Sequence, residues 1–116
     1  MTDIQRFDLN ARMSEMAVHN GVAYLAGQVA SDASLDAQGQ TANVLGQIDA
    51  LLARAGTDKT RILMAQIFLA DLADFPAMNA AWDAWVAPGS TPPRATVEAK
   101  LAKAEWKVEI VVKAAV

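Results

Sequence analysis

Apolar and polar residues alternate along the last quarter of the chain, and this alternation predicts two strands. The first covers residues 91–101 and the second covers residues 107–116. A period of two is the pattern of a strand that buries one face. Pro92 and Pro93 keep the start of the first strand extended and place Arg94 at its base. We therefore expect a C-terminal β-hairpin that presents a fixed cation.

The N-terminal third of the chain shows shorter strand-like runs. Residues 4–8 predict an edge strand, and residues 14–19 predict a second strand. An Asn-Gly dipeptide at 20–21 predicts a hairpin turn, because both residues accept a positive φ. The return strand is expected over residues 22–26. Gly27 follows it and marks either a bulge or a close approach of another group to the backbone.

The clearest helical pattern covers residues 36–55, and Gly56 is placed to end that helix. Its apolar stripe, at helical spacing, consists of Val44, Ile48, Leu51, Leu52 and Ala55. Its opposite face is expected to meet water and carries Gln40, Asn43, Gln47 and Arg54.

A second helix is predicted from residue 74 onwards. Asp74 suits the N-cap, and Pro76 suits the first turn, where its missing N–H costs nothing. Pro88 and Gly89 are expected to end the helix. Its apolar stripe consists of Phe75, Met78, Trp82, Trp85 and Val86. We interpret the two tryptophans as core or subunit-interface residues rather than as a ligand platform.

Residues 61–70, between the two helices, predict a strand that is apolar on both faces along most of its length. The order β-β-β-α-β-α-β-β predicts one α+β domain over residues 1–116, with a mixed sheet and two helices on one face. The helices cover one side of the apolar strand. Oligomerisation through the other sheet face is the simplest cover for the second side.

The amino-acid composition limits the classes of function that we expect for this protein. The 116 residues carry a net charge of −3 and no cluster of Lys or Arg, so we expect no nucleic-acid partner. The chain has no Cys and one His, which excludes disulfides and thiol nucleophiles and makes a metal site unexpected. No signal peptide and no run of membrane-spanning length is visible, so a soluble cytoplasmic protein is expected.

Arg94 is the strongest candidate for chemistry. A guanidinium held at the start of a strand suits bidentate binding of a carboxylate. The pattern by itself favours a plainer role, namely an exposed arginine or an ion pair with Glu98 or Glu109. His19 lies beside the predicted turn and is interpreted as a solvated side chain. The acidic residues are scattered, so no pair stands out for acid–base chemistry.

Several segments, in a fixed order along the chain, are similar to segments of one known family. They are Ala26-Gly27-Gln28-Val29, Gln40-Thr41-Ala42-Asn43-Val44, Phe68-Leu69-Ala70-Asp71, Phe75-Pro76-Ala77-Met78-Asn79, Pro93-Arg94-Ala95-Thr96-Val97-Glu98 and Val108-Glu109-Ile110. Together they resemble the YjgF/RidA family. Ala-Trp-Asp-Ala-Trp-Val at 81–86 and Lys-Val-Glu-Ile at 107–110 resemble its YoaB-like branch.

The resemblance implies a fold, an assembly and an activity. The fold is a chorismate-mutase-like two-layer α+β domain, and the assembly is a homotrimer with ligand clefts between neighbouring subunits. The activity is hydrolysis of reactive enamines and imines, such as 2-iminopropanoate and 2-iminobutanoate, to 2-keto acids and ammonia. Neither a metal nor an organic cofactor is implied.

By position, the resemblance also assigns residues to the cleft. Arg94 would bind the substrate carboxylate through a charge-assisted fork. The backbone around Ala26 and Gly27, and that of Thr96, would hold the imine end and the attacking water. Asn79 would add a polar group from the second helix.

Three positions depart from the pattern of active deaminases. Met13 stands where they often carry Tyr, Ala26 where they carry Ser, and Val111 where a Glu of the last strand is expected. Glu109 shares the strand face with Val111 but lies about 7 Å along the strand. The carboxylate anchor is kept while side chains that position water are lost. This motivates an alternative function as a non-catalytic 2-keto acid binding trimer. The surplus of apolar residues, 53% of the chain, motivates a further interpretation as an interaction protein whose trimer surface engages a partner.

Overall fold

The computed structural model describes residues 3–116 and shows a mixed sheet with two helices packed against it, so the first two residues of the predicted domain lie outside the described part. The strands are β1 (Gln5–Phe7), β2 (Met16–His19), β3 (Val22–Leu25), β4 (Gln28–Val29), β5 (Ile62–Leu69), β6 (Arg94–Glu98) and β7 (Val108–Ala115). The helices are α1 (Ala37–Arg54) and α2 (Phe75–Trp85). The predicted α+β class is confirmed, with the two-residue β4 as an addition to the expected order.

The predicted C-terminal hairpin is wrong. The sheet order is β1-β2-β3-β7-β5-β6, with β4 also pairing with β7. Strand β5 lies between β6 and β7, parallel to the former and antiparallel to the latter. Alternation fixes which face a residue occupies but not which strand is its neighbour. Helix α2 carries the chain from β5 back to a parallel partner, and residues 99–107 then cross over β5 to reach β7.

Most of the turns and helix ends that the sequence predicts are present in the structure. Asn20 and Gly21 have φ values of 50° and 78°, as a type I′ turn requires. The Asp36 carboxylate accepts a hydrogen bond of 2.8 Å from the Gly39 N–H and caps α1, and Gly56 follows that helix at φ 78°. Asp74 precedes α2 without a side-chain cap bond, and α2 ends at Trp85, before the proline expected to stop it.

The core lies between the helices and one face of the sheet. Its largest fully buried side chains are Met16, Val44, Leu45, Ile48, Leu52, Ile67, Leu69, Met78, Val108, Ile110 and Val112, together with Gln40. The opposite sheet face is open in the single chain. It carries half-buried Met64, Gln66 and Phe68, and Tyr24 is 45% exposed. No helix within residues 3–116 is long and apolar enough to cross a bilayer.

Gln40 corrects the expectation that the polar face of α1 meets water. Its side chain is 0% exposed. The Nε2 group donates to the carbonyl oxygens of Ala33, Leu35 and Glu105 at 3.0–3.2 Å, and Oε1 accepts from the N–H of Lys107 at 2.9 Å. A polar side chain is tolerated in the interior when backbone groups supply its partners, and periodicity cannot reveal this. Gln40 thereby ties α1 to the connection that leads into β7.

Replacing Gln40 by Leu should destabilise the fold while keeping similar side-chain volume. The change leaves the Lys107 N–H and the facing carbonyls without the amide, so we expect a loss of about 2 kcal/mol or more in the free energy of unfolding. Urea denaturation measures it. Gln38→Leu, on the exposed face of the same helix, is the matched control and should change stability by less than about 0.5 kcal/mol. Equal midpoints for the two variants would contradict the role assigned to Gln40.

Candidate active site

Arg94, the first residue of β6, lies against helix α2. Its register partner on β5 is the buried Ala65, so the arginine points to the helix-covered side of the sheet. The Nη2 group donates to Asn79 Oδ1 at 2.7 Å, and Nη1 lies 3.7 Å from Met78 Sδ. The guanidinium carbon lies 5.1 Å from the ring centroid of Trp82. The structure therefore brings together Arg94 and Asn79, two of the residues assigned to the cleft.

Arg94 has no carboxylate partner within the described residues. The ion pair between Asp8 and Arg54, at 2.7 Å, is the only one found in residues 3–116. There the hydrogen bond from Arg54 is the main cause that lowers the pKa of the Asp8 carboxyl. Glu98, a suggested partner of Arg94, instead accepts from the N–H of Leu72 at 3.0 Å. A half-buried cation without a counter-charge is suited to bind an anion.

A β-bulge occupies Ala26 and Gly27. Tyr24 pairs with Lys113 and Gln28 pairs with Ile110. An advance of four residues from Tyr24 therefore corresponds to an advance of only three residues along β7. The extra residue leaves the ladder locally unpaired. The bulge and the close approach, which the sequence posed as alternatives at Gly27, both occur there.

Glu109 supplies the close approach. A Cβ placed on Gly27 would lie 2.1 Å from Glu109 Oε2, so the carboxylate packs directly against the glycine backbone. The family resemblance predicts an acid at the position of Val111, which lies opposite the bulge between the paired positions. The carboxylate beside the glycine belongs instead to Glu109, which pairs with Val29 and reaches back to Gly27. The available signal was the glycine itself, since only a residue without a side chain leaves this space.

Gln28 and Glu15 hold the other side of the bulge. Gln28 is buried, and its Nε2 donates to Glu15 Oε2 at 3.1 Å and to the carbonyl oxygen of Ala26 at 3.0 Å. The N–H of Ala26 donates to the carbonyl oxygen of Glu15 at 2.9 Å. Sequence reasoning did not assign a role to either side chain. These bonds fix the backbone of the bulge without using the side chain of Ala26.

The other two predicted residues, Thr96 and Met13, lie on different parts of the chain. Thr96 is half-buried and lies on the same side of β6 as Arg94, because its partner is the buried Ile67. Met13 is 42% exposed on the segment before β2, where its N–H donates to Asn10 Oδ1 at 3.0 Å. Within residues 3–116, no cluster of three or more His, Asp or Glu side chains has metal-binding proximity.

A single chain does not bring Arg94 close to the bulge at Gly27. Arg94 lies on β6 and Glu109 on β7, with β5 between them, a separation of about 9–10 Å across the strands. The two side chains also point to opposite sheet faces, since Arg94 pairs with buried Ala65 while Glu109 pairs with half-buried Phe68. A ligand of small size cannot contact both groups of the same subunit.

Gly27→Ala should displace the Glu109 carboxylate. The contact is with the end of a flexible side chain, so we expect a cost of roughly 1 kcal/mol or less in the free energy of unfolding. That cost should nearly vanish in a Glu109→Ala background, which a double-mutant cycle in urea measures. Gly46→Ala is the control, because a Cβ there meets nothing within 4 Å and should stabilise α1 by up to about 1 kcal/mol. A cost that persists without Glu109 would refute the contact.

Known proteins were compared with the chain as a whole. A family model described as Endoribonuclease L-PSP matches residues 3–116. A RutC family protein of Haemophilus ducreyi is 57% identical over 113 residues, covering 97% of each chain. The RutC family protein YoaB of Escherichia coli is 51% identical over 113 residues, covering 97% of this chain and 98% of the relative.

Solved structures agree with these sequence relationships. The crystal structure of a YjgF family member from Neisseria meningitidis superposes with a TM-score of 0.95 at 49% identity, covering 97% of this chain and 94% of that one. A protein from Pseudomonas aeruginosa gives a TM-score of 0.95 at 42% identity, covering 97% and 98% of the two chains. With the fold, the bulge and the arginine in place, the chain belongs to the YjgF/RidA family.

Proposed function

We propose that the protein is an enamine/imine deaminase that hydrolyses small 2-imino and 2-enamino acids to 2-keto acids and ammonia. The observation that carries the proposal is Arg94, a half-buried guanidinium with no carboxylate partner in residues 3–116. Family membership supplies the class of reaction. The substrate class follows from the guanidinium, which favours a ligand that carries a carboxylate.

The anchor is built for one carboxylate. Asn79 Oδ1 accepts one N–H of Arg94, which orients the guanidinium and leaves the Asn79 amide N–H groups as further donors. Thr96 lies two residues along the same side of β6 and adds its backbone to this group. Together these residues form the half of the site that holds the acid end of the substrate.

We assign the bulge to the second half of the site, which binds the reacting carbon of the substrate. The backbone of Gly27, which the bulge leaves outside the ladder, offers hydrogen bonds to the imine nitrogen and to water, whereas the backbone of Ala26 is bonded to Glu15 and Gln28. The Glu109 carboxylate beside Gly27 is suited to accept a proton from that water. Glu109 thus provides an acid at the bulge, at a position different from Val111.

The chemistry is then simple. An enamine first takes a proton from solvent at carbon 3 and becomes the protonated imine. Water adds to carbon 2 and loses a proton to Glu109, which gives a neutral carbinolamine. Glu109 returns that proton to the amino nitrogen, the C–N bond breaks with its electron pair on nitrogen, and ammonia leaves while the hydroxyl proton passes to solvent and the C=O bond of the 2-keto acid forms. The imine is already electrophilic, so orientation supplies much of the required rate and no step requires a cofactor.

We further propose a homotrimer in which Arg94 of one subunit faces Gly27 and Glu109 of its neighbour. Opposite orientations within one chain support this arrangement, because only a second copy can bring the two groups onto one small ligand. The open sheet face, with exposed Tyr24 and half-buried Phe68, is the surface that association would cover. Light scattering tests the assembly, and a monomer at micromolar concentration would refute it.

Release of ammonia from enzymatically generated 2-aminoacrylate tests the activity. Arg94→Ala should lower kcat/KM by about a hundredfold or more with the oligomer intact, because the carboxylate anchor is lost. Arg61→Ala, at an exposed arginine whose Nε donates to the carbonyl oxygen of Ala115, is the control and should retain activity. No acceleration by the assembled wild-type protein would defeat the deaminase proposal. Arg94-dependent stabilisation by 2-keto acids without turnover would instead establish the non-catalytic binding function.

Mixed trimers test the shared site. Arg94→Ala and Glu109→Ala subunits, each inactive alone, should regain about a quarter of the wild-type sites when combined in equal amounts, because one pairing in four joins both intact residues. Differently tagged subunits allow the mixed species to be purified and assayed, and about one site in three should then be intact, because each mixed trimer has a single pairing of both intact residues. Unmixed variants assayed at the same total concentration are the control. Absence of recovery in verified mixed trimers would refute the shared site.

A further inference from the structure

We propose that Trp82 is the positioning residue of Arg94, and that its indole face fixes the plane of the guanidinium so that a carboxylate meets the guanidinium edge. The inference rests on the proposed role of Arg94 as carboxylate anchor. It revises the interpretation of Trp82 from a residue that only fills the core to one that also shapes the candidate site.

The contacts of Arg94 come from a single stretch of α2. Trp82, 4% exposed, lies under the guanidinium with its ring centroid 5.1 Å from Cζ. Asn79 accepts from Nη2 at one edge, and the buried Met78 lies beside Nη1. Residues 78, 79 and 82 lie within about one helical turn, so one rigid element sets all three contacts. The face of the cation is covered while part of its edge stays open.

Trp82 is itself braced. Its ring lies 5.3 Å from that of Trp85, at an interplanar angle of 56°. Trp85 Nε1 donates to Asp49 Oδ2 on α1 at 2.9 Å, and Lys59 Nζ lies 5.2 Å from the Trp85 ring centroid. The tilted pair therefore connects the arginine to the first helix. A platform held in this way cannot follow the arginine if its side chain moves.

Fixing Arg94 in advance favours anion binding for two reasons. A long arginine side chain has many rotamers, and ordering it on ligand binding costs affinity that a preorganised side chain keeps. The indole face attracts the cation without neutralising it, in contrast to a carboxylate. Trp82 can therefore immobilise the guanidinium while leaving its charge available to the ligand. A residue that only filled the core would have neither effect.

Three variants separate positioning from packing. Trp82→Leu removes the aromatic face, Trp82→Phe keeps a weaker one, and Trp106→Leu removes a remote cation–π pair in which Lys103 Nζ lies 5.0 Å from the ring. Calorimetry measures the Kd for 2-ketobutyrate. We expect it to rise roughly tenfold for Trp82→Leu and about threefold for Trp82→Phe, and to stay unchanged for Trp106→Leu.

The order of the Arg94 side chain is a second measurement that needs no ligand. Nitrogen-15 relaxation of its Nε–Hε group should show a rigid side chain in the wild type, intermediate motion in Trp82→Phe and the greatest motion in Trp82→Leu. Should Trp82→Leu fail to fold, the Phe variant decides, and unchanged Arg94 order with unchanged Kd would overturn the proposal. Absence of 2-ketobutyrate binding by the wild type would defeat the proposed function instead, while the relaxation data still decide the role of Trp82.

Discussion

The parallel pairing of β6 with β5 is the constraint on which the candidate site depends. It sets Arg94 opposite the buried Ala65 and so turns the guanidinium toward α2. In that position the arginine meets an amide, a thioether and an indole instead of an acid. A hairpin with β7 would have offered it the acid of a neighbouring strand. The register therefore leaves the cation uncompensated, which is the property that an anion site requires.

The bulge is the second constraint, and it acts through a single glycine. One extra residue in the chain before β4 removes backbone groups from the ladder at Ala26 and Gly27. Without a side chain at position 27, the Glu109 carboxylate reaches the backbone directly. Buried Gln28 holds the bulge by donating to the Glu15 carboxylate, just before β2, and to the carbonyl oxygen of Ala26. An acid thus meets the exposed backbone of Gly27 at one place, although the strands around them are regular.

These two halves lie on opposite faces of one sheet, and this relation links the candidate chemistry to assembly. The helix-covered face is closed by a continuous apolar core, whereas the other face keeps apolar side chains such as Tyr24 accessible. A second copy of the chain would supply the missing half of the site and would also cover the open sheet face. Gln40 supports this arrangement from the core, because its hydrogen bonds to the backbone of Glu105 and Lys107 hold the connection that leads into β7 and Glu109.

The sequence by itself determined the α+β class, the turn at Asn20 and the strands and helices other than β4, because periodicity, turn chemistry and short motifs are local properties of the chain. It also made Arg94 the candidate for anion binding. It also indicated a bulge or a close contact at Gly27, but it did not identify Glu109 as the contacting residue. Only the tertiary structure decided the neighbours of β6, the burial of Gln40 and the contact of Glu109 with the bulge. Each of these depends on pairing between distant segments, and alternation specifies the face of a strand but neither its neighbour nor its register.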